Sequence, residues 1–361
     1  MGDVGAARAP HDSALTDADV IVIGGGAAGS ATAWWLARRG VSVTLLERFA
    51  PGHDRGSSHG GSRIFRFAYP DPHYVRLAQA ALPLWRELEG DADEALLDTT
   101  GAVDHGDPSS IADTVAALAA CDAPHEVLSV AEAAERWPFM RCEGSVLFHP
   151  AGGRCRADTT IAALQRSAAA HGAAVHHNAG PVSLGDDLEV VAPALDRSWR
   201  ASAVVVTAGA WTDSVVGRRV ALPALTVTQE QVQHFTPRLA PDAAWPSFIH
   251  HQQPWIYGLL SPGEGMKVAR HHVGPMVDPD DRPRRDDAAD QIVSRYVEQW
   301  FPGLDPSPVH TAECLYTTTP DESFVLQRSG QLVVGTACSG HGFKFTPLIG
   351  QRLADLAMEE L

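Results

Sequence analysis

Residues 19–29 read DVIVIGGGAAG, and this stretch decides the fold of the chain. The apolar, largely β-branched run from Asp19 to Ile23 predicts a short buried strand of a parallel sheet. The glycines after it lead into a helix of small residues that runs through Arg39 and is closed by Gly40. A second apolar strand follows at residues 41–46 and ends on Glu47. Together these segments predict a complete β-α-β unit.

The glycine spacing predicts a dinucleotide site at the start of this helix. Gly24, Gly26 and Gly29 form the pattern Gly-x-Gly-x-x-Gly between a strand and a helix. The first glycine permits the tight turn, the second lets the backbone approach a pyrophosphate, and the third lets the helix lie close to the strand. Glu47 is expected to bind a ribose hydroxyl. No arginine stands in its place to bind a 2′-phosphate. The motif does not separate FAD from NAD, and a glycine turn in an ordinary α/β protein is the alternative.

Apolar strand patterns return in the middle and near the end of the chain. Residues 201–207 (ASAVVVT) and 331–335 (QLVVG) are apolar runs, whereas residues 224–275 alternate apolar and polar positions with frequent turns. We therefore expect an α/β fold (an α+β composite), in which a discontinuous Rossmann-like nucleotide domain surrounds an antiparallel-sheet substrate domain. The expected boundaries are 1–18 for a disordered lead-in, 19–90, 150–215 and 315–361 for the nucleotide domain, and 91–149 and 216–314 for the substrate domain.

Composition and charge argue against several partners. The chain has 361 residues and a net charge of −16, so its field repels nucleic acids and anionic membrane surfaces. No apolar run reaches the length of about 18 residues that a transmembrane helix needs. The five cysteines form no Cys-x-x-Cys pair, which indicates a reducing compartment, by default the cytoplasm, and argues against structural zinc. The charge run at residues 278–290 is interpreted as a solvated loop.

Three further stretches carry a family resemblance: SSHGGSRIFRFAY at residues 57–69, ECLYTTTPD at 313–321 and SGHGFKF at 339–345. With the N-terminal glycine pattern they resemble the monomeric sarcosine oxidase family, which includes N-methyltryptophan oxidase and pipecolate oxidase, from Asp19 to Leu361. The resemblance implies a glycine-oxidase-like fold, an FAD cofactor and a monomer. It also implies oxidation of a secondary amino acid, N-methylated or cyclic, to an imine by hydride transfer to flavin N5, with O2 reduced to H2O2.

The resemblance also implies which residues hold FAD. Cys314 matches the cysteine that forms a thioether with the flavin 8α-methyl group, although a lone cysteine on an apolar strand is more often a packing residue. Cys338, its rival by proximity to the SGHGFKF segment, is interpreted as a packing residue. The late strand at 204–209 and the helix start at Thr346-Pro347 match positions where such flavoproteins approach the cofactor. The other expected FAD-binding residues, beside the glycine pattern and Glu47, are Arg48, Ser58, Gly340, Gly342, Phe343 and Lys344.

The remaining candidates surround the substrate and O2. Arg66 and Lys344 match family residues that hold the substrate carboxylate, which the planar guanidinium fork suits. Lys267 matches the lysine that activates O2, where a fixed cation stabilises developing superoxide. For Arg63 and Arg66 the ordinary alternative is a surface salt bridge. The other implied residues are Arg63 and His59 near the flavin and O2, His271 near the substrate amine, and Tyr257 and Tyr316 in the substrate cavity.

The lysine distribution supports a functional interpretation. Lys267 and Lys344 are the only lysines among 28 Lys and Arg residues. Arginine is larger and always charged, so it does not replace a compact ammonium group in a tight pocket. Three alternatives stay open: a flavin dehydrogenase with another electron acceptor, a tailoring oxidase of a bulkier amino-acid-like substrate, and a non-catalytic nucleotide-binding protein. Trp245, Phe248 and Trp255 are candidates either for the core or for an apolar pocket that favours a bulky substrate.

Overall fold

The computed structural model describes residues 15–238, 245–336 and 339–359. Within them the strands are β1 (Leu15–Ile23), β2 (Val43–Leu46), β3 (Arg63–Phe65), β4 (Leu97–Asp98), β5 (Ala102–Gly106), β6 (Glu126–Leu128), β7 (Ser145–His149), β8 (Gly153–Cys155), β9 (Ala174–His176), β10 (Ser183–Leu184), β11 (Val190–Ala192), β12 (Arg197–Val206), β13 (Thr226–Pro237), β14 (Ser247–His251), β15 (Ile256–Ser261), β16 (Gly265–Arg270), β17 (Leu304–Thr318), β18 (Val325–Ser329) and β19 (Leu332–Thr336). The helices are α1 (Ala27–Arg38), α2 (Pro72–Ala92), α3 (Pro108–Ala120), α4 (Val130–Arg136), α5 (Ala157–Ala170), α6 (Thr212–Val216), α7 (Asp287–Trp300) and α8 (Thr346–Met358). Short 3-10 turns lie at Pro193–Leu195, Gly209–Trp211 and Phe343–Phe345.

The first sheet contains the predicted β-α-β unit. Its strands follow the order β10-β11-β12-β1-β2-β9, with β19 paired to β12 and β18 paired to β19. Strand β1 is parallel to both β2 and β12. Val20 and Val22 pack into a core with α1 and α8, whereas Ile21 and Ile23 pack into a second core on the opposite face. This two-sided burial explains the continuous apolar run, and β1 begins at Leu15, inside the segment predicted as a lead-in.

The second sheet confirms the predicted antiparallel region and extends it. Its order is β17-β13-β16-β15-β14-β5-β7-β6, and its pairs are antiparallel except for β14 with β5. Trp245 and Phe248 are almost fully buried in its core with Phe301, so they are core residues. Trp255 instead lines the central cleft of the protein. Of the two interpretations left open, the core therefore holds for Trp245 and Phe248, and the pocket holds for Trp255.

A small third sheet of order β3-β8-β4 carries part of the SSHGGSRIFRFAY stretch as β3. Strand β17 runs through residues 314 and 315, where the sequence analysis placed a domain boundary. We retain the division into nucleotide and substrate domains as a proposal that follows the two large sheets. Cys338 lies outside the described residues. None of the described helices combines the length and the apolar character that crossing a membrane would need.

Candidate active site

A cleft of about 1100 Å³ lies between the two large sheets. The glycine loop lines one part of it, and the face of β13, β16 and β17 lines another. Every residue that the sequence analysis assigned to the site lines this cleft except Gly29, which packs behind Gly24. The structure therefore brings the predicted residues together in one place.

The glycine loop connects the carboxyl end of β1 to the amino end of α1. Gly24 has a φ of +102°, and a Cβ on it would lie 2.5 Å from the carbonyl oxygen of Thr207. A Cβ on Gly29 would collide with the carbonyl oxygen of Gly24. Gly26, the N-cap of α1, offers no capping side chain, and Ser58 Oγ accepts a hydrogen bond from the Ala27 N–H at 3.1 Å. The amino end of α1 therefore faces the cleft, where its positive end suits a pyrophosphate.

Glu47 is a buried, ionised acceptor beside this loop. Its Oε2 accepts a hydrogen bond from the Gly25 N–H at 2.7 Å, and its Oε1 accepts one from the Phe49 N–H at 2.9 Å. His53 Nε2 lies 3.2 Å from Oε1. Burial raises the pKa of the carboxyl, but the bonds from His53 and the backbone outweigh burial and hold the pKa below its usual value. The geometry suits the binding of a ribose hydroxyl.

Arg48 is held by a loop from the far side of the cleft. Its guanidinium lies 5.1 Å from the ring centroid of Trp211 and 2.9 Å from Asp280 Oδ1. Trp211 Nε1 donates to the same carboxylate oxygen at 3.1 Å. Asp280 belongs to the charge run that was predicted to be a solvated loop. That prediction is incomplete, because this part of the loop lies across the cleft, where Arg282 also donates to the Arg55 carbonyl at 2.6 Å.

Lys267 and Arg63 form a cationic pair in the middle of the cleft. Lys267 Nζ donates to the Ser62 carbonyl at 2.6 Å, and Arg63 Nη2 donates to the carbonyls of Ser57 and His59 at 2.8 and 2.6 Å. Burial, with Arg63 as the second cause, lowers the pKa of Lys267 to about 7. Burial and Arg63 likewise lower the pKa of His59 to about 4, so its imidazole is neutral at pH 7. Backbone carbonyls fix both cations.

Cys314 lies on β17 with its side chain in the cleft and 7% of its surface exposed. Burial raises the pKa of its thiol, while Arg63 and Lys267 act in the opposite direction. It forms no disulfide, and the other described cysteines are free as well. The thiol thus faces the cleft beside two cations, which stabilise a thiolate when it forms.

Arg66 is anchored by a buried carboxylate that the sequence analysis did not single out. Its Nη1 donates to Asp104 Oδ1 at 3.2 Å and to the Ala68 carbonyl. His251 Nε2 lies 2.8 Å from the same Asp104 oxygen. Burial raises the pKa of Asp104, but His251 and Arg66 outweigh burial and hold the pKa below its usual value. The local sequence AVDHG carries no signal for this role, because the partners of Asp104 are distant in the chain.

Lys344 lies at the same end of the cleft. Its Nζ donates to the Tyr69 hydroxyl at 2.8 Å and to the His341 carbonyl at 2.6 Å. Arg66 Cζ lies 4.6 Å and Lys344 Nζ lies 5.3 Å from the centroid of the Tyr69 ring. Both predicted clamp cations therefore lie beside one ring, that of Tyr69. It was quoted within the SSHGGSRIFRFAY stretch, but no role was assigned to it.

An aromatic and imidazole wall completes the cleft. Tyr316 Oη lies 3.4 Å from His271 Nδ1 and 3.5 Å from Tyr257 Oη. The ring of Trp255 is nearly parallel to that of His271, with 6.2 Å between their centroids. Burial, with smaller effects of His272 and Arg66, lowers the pKa of His271 to about 2. Gly340 has a φ of +74°, and a Cβ there would collide with the Tyr316 ring.

The residues present fit FAD. The amino ends of α1 and α8 both open on the cleft, and neither N-cap residue bonds its own helix through a side chain. The positive end of α1 suits the pyrophosphate, and that of α8 suits the anionic edge of a reduced flavin ring. Cys314 and Lys267 also line the cleft that these helices share. Gly342, Phe343 and Thr346 line the part near α8.

Comparison with known proteins gives consistent matches over nearly the whole chain. Peroxisomal sarcosine oxidase of Homo sapiens is 35% identical, over 94% of this chain and 92% of that protein. Monomeric sarcosine oxidase of Bacillus sp. (strain NS-129) is 31% identical, over 95% of this chain and 93% of that protein. The open form of NikD, an unusual amino acid oxidase essential for nikkomycin biosynthesis, superposes with a TM-score of 0.86 at 29% identity, over 96% of this chain and 95% of that one.

The family model described as FAD dependent oxidoreductase matches residues 19–356. This match spans both large sheets and every predicted site residue, and the NikD superposition confirms the mixed α/β fold. The cleft geometry, the relatives and the family model agree on the cofactor. The chain therefore belongs to the family of FAD-dependent oxidoreductases and is an FAD-dependent amino-acid oxidoreductase.

Proposed function

We propose that this protein oxidises secondary amino acids, N-methylated or cyclic, to imines and passes the electrons to O2, forming H2O2. The observation that carries the proposal is the placement of Arg66 and Lys344 on one ring, that of Tyr69, within the cleft that fits FAD. Two cations beside one ring in the same cleft offer a site for one carboxylate. The names of the sarcosine oxidase relatives support the same substrate class.

The clamp residues bind and orient the substrate. Arg66 uses Nη1 for Asp104 and the Ala68 carbonyl, which leaves the rest of its planar fork to a carboxylate. Lys344 supplies a second, compact cation. Asp104 fixes the guanidinium and balances part of its charge inside the protein. The clamp thus holds the reacting carbon at one place in the cleft, which is the positioning contribution to catalysis.

The wall of His271, Tyr257 and Tyr316 surrounds the amine. His271, with a pKa of about 2, stays neutral at physiological pH, so it accepts a hydrogen bond from the amine without repelling an ammonium substrate. Burial raises the pKa of both tyrosines and keeps them protonated. Their rings line the cleft and exclude water from the reacting carbon. When bound, FAD supplies the two-electron acceptor.

Lys267 and Arg63 support O2 as the final acceptor. Both cations line the cleft, and fixed positive charge stabilises the negative charge that develops when O2 is reduced. We also propose that Cys314 forms a thioether with the flavin, because its thiol lines the same cleft beside both cations. The proposed roles of His59, Arg48 and Ser58 are contacts with the cofactor from the loop that follows β2.

The first test is an acid-precipitation experiment on Cys314. Holoprotein is denatured with acid, and the yellow colour is followed into the pellet or the supernatant. The wild type and the control Cys155→Ala, whose cysteine is buried away from the cleft, should keep the colour in the pellet. Cys314→Ala should release it. Free flavin from the wild type would refute the attachment and leave the catalytic proposal untouched.

The second test is a substrate screen. Holoprotein is mixed anaerobically and aerobically with sarcosine, N-methyltryptophan, pipecolate and proline, and flavin bleaching and peroxide are recorded. At least one secondary amino acid should bleach the flavin and yield one peroxide per O2 consumed. Lys344→Met should raise KM for that substrate by about tenfold, the usual cost of losing one charged hydrogen bond. No bleaching with any secondary amino acid would refute the proposal.

A bulkier amino-acid-like substrate is the second candidate. Trp255 lines the cleft and lies parallel to His271, which gives a flat apolar surface for a ring. Trp255→Ala should raise KM for N-methyltryptophan and pipecolate more than for sarcosine if the side chain of the substrate packs there. Equal effects on all three substrates would favour a small substrate such as sarcosine. A flavin that bleaches but reacts with dyes and not with O2 would indicate a dehydrogenase.

We further propose that the protein works as a monomer in the cytoplasm. The relative from Bacillus is named a monomeric enzyme, and the described cysteines are unpaired, as in a reducing compartment. Light scattering of the purified holoprotein tests the first point. Microscopy of a fluorescent fusion tests the second.

A further inference from the structure

A row of titratable side chains crosses the second sheet and ends at Lys267. Strand β17 is the edge of this sheet, β13 is next to it, and β16 follows. In the strand register His234 lies opposite His310 on one side and opposite Lys267 on the other. Directly opposite residues of antiparallel strands project from the same face with Cβ atoms about 5 Å apart. All three residues line the cleft.

His234 is buried, yet its imidazole lacks ordinary partners. The residue is 3% exposed, and neither ring nitrogen has a hydrogen bond among the residues that the structure describes. The ring of His310 stacks on it with 5.5 Å between centroids. A buried neutral imidazole has one N–H donor and one acceptor to satisfy. Both nitrogens therefore keep hydrogen-bonding capacity that water entering the cleft can use.

Glu264 connects this imidazole to solvent. It lies in the hairpin between β15 and β16, and its side chain is 38% exposed. Its Oε2 lies 3.5 Å from His234 Nε2 and accepts hydrogen bonds from Ser261 Oγ at 2.5 Å and from the Gly61 N–H at 3.3 Å. The carboxylate is thus held beside the ring and in contact with bulk water.

The reaction consumes a proton where this row ends. Removal of a hydride from the neutral amine takes away two electrons and one proton and leaves the imine nitrogen with its own proton. Reduction of O2 to H2O2 takes two electrons and two protons. One of these protons is the one removed with the hydride, and the second must come from solvent. The amine released one proton when it became neutral, so the two half-reactions balance.

We propose that Glu264 and His234 form a proton route that links solvent to Lys267 and supplies the proton consumed when O2 is reduced. The inference rests on the proposed oxidase function and adds two residues to it. Glu264 takes a proton from water, His234 accepts it at one ring nitrogen and releases the other proton toward Lys267, and a water molecule bridges the last step. The pKa of Lys267, about 7, lets its amine give up and regain a proton near neutral pH.

The test uses the oxidative half-reaction alone. Holoprotein is reduced with dithionite, so no amino-acid substrate is needed, and is mixed with O2 in a stopped-flow instrument. His234→Gln should slow reoxidation by about tenfold, less than the full loss of a general acid because water partly replaces the imidazole. Glu264→Gln should act in the same direction. His310→Gln is the matched control, since this exposed ring packs on His234 without a proton-transfer contact, and it should change the rate less than twofold, about the scatter expected for a surface substitution.

Four results separate the possible outcomes. Imidazole added to His234→Gln should restore part of the rate, because a small acid can occupy the vacated space. Reoxidation of His234→Gln at the wild-type rate, or slowing by His310→Gln to the same degree, would overturn the route and leave the oxidase proposal intact. Wild-type protein that is not reoxidised by O2 would overturn both.

A second readout needs no turnover. The chain has two lysines, so protein labelled with 13C at lysine Cε gives two signals, and Lys344→Met assigns that of Lys267. In resting wild-type protein the Lys267 signal should stay sharp through its titration, because protons exchange rapidly with solvent. In His234→Gln it should broaden. An unchanged line shape would overturn the route even if the reoxidation rate fell.

Discussion

Burial of the Lys267 amine lowers the free energy of unfolding, and the pH dependence of unfolding should show this effect. The side chain is 4% exposed, and burial with Arg63 lowers its pKa from 10.5 to about 7. This difference corresponds to a penalty of about 4–5 kcal/mol on the ammonium form in the folded protein. The unfolded chain binds more protons than the folded protein between the two pKa values. The free energy of unfolding therefore rises with pH in that range.

The size of the rise follows from the two pKa values. Between about pH 7 and about pH 8.5, linkage gives a gain of about 1.5 kcal/mol in the free energy of unfolding. Lys267→Met removes the titrating group and also the hydrogen bond to the Ser62 carbonyl, which is worth about 1 kcal/mol. We expect the variant to lack the rise and to be at least as stable as the wild type at the lower pH. Urea unfolding of the holoproteins, followed by tryptophan fluorescence, measures both values.

A matched variant sharpens this test. Lys267→Arg keeps a positive charge at both pH values, so it should be less stable than the wild type at each and should also lack the rise. A wild-type gain no larger than that of Lys267→Met would refute the reasoning. Such a result would mean that the amine is not desolvated in the folded protein.

Three further predictions concern other parts of the site. Asp104→Asn should lower the free energy of unfolding by about 3 kcal/mol at pH 7, because it leaves the buried Arg66 guanidinium without its counter-charge. Since the pKa of Asp104 is lowered, this contribution is present above about pH 4 and is lost as pH falls through the folded value, so urea unfolding should show the two proteins converging in acid. Gly340→Ala should lower stability by about 1–3 kcal/mol in thermal unfolding, because the methyl group meets the Tyr316 ring at a positive φ; an unchanged melting curve would contradict this. Glu47→Gln should weaken FAD binding by about tenfold, through loss of one charge-assisted hydrogen bond. Fluorescence titration of apoprotein that also carries Cys314→Ala measures this affinity without covalent attachment; equal affinity would exclude Glu47 as a cofactor ligand.

The parts of the fold that were predictable have local signals. The strand at Asp19–Ile23 is buried on both faces, so its sequence is apolar throughout, and the glycine pattern marks the turn that follows. Strand β5 shows the opposite case. Its sequence AVDHG looks like a polar break, yet all five residues are buried, because Asp104 pairs with His251 and His105 stacks on His250. Partners more than 140 positions away leave no trace in the local pattern.

The same contrast holds for the site. The SGHGFKF and SSHGGSRIFRFAY stretches pointed to Lys344 and Arg66, and the structure brings both residues to Tyr69. The use of Asp104 as the anchor for Arg66 depends on how the third and second sheets pack, which single-sequence patterns do not contain. The neighbours of Lys267 likewise depend on strand register, because a shift by one residue would turn His234 to the other face.

The scarcity of lysine also shapes how the protein meets chemical reagents. Both lysines lie inside the cleft, at 4% and 5% exposure, so reagents that acylate lysine find no exposed target on the folded chain. Dyes, tethers and crosslinkers that need an exposed lysine have to be replaced by chemistry directed at carboxylates or thiols. The same shortage turns acylation into a reporter. An acylated lysine marks a molecule whose cleft had opened. Mass spectrometry can measure the acylated fraction at Lys267 and at Lys344 and so report how often the cleft opens.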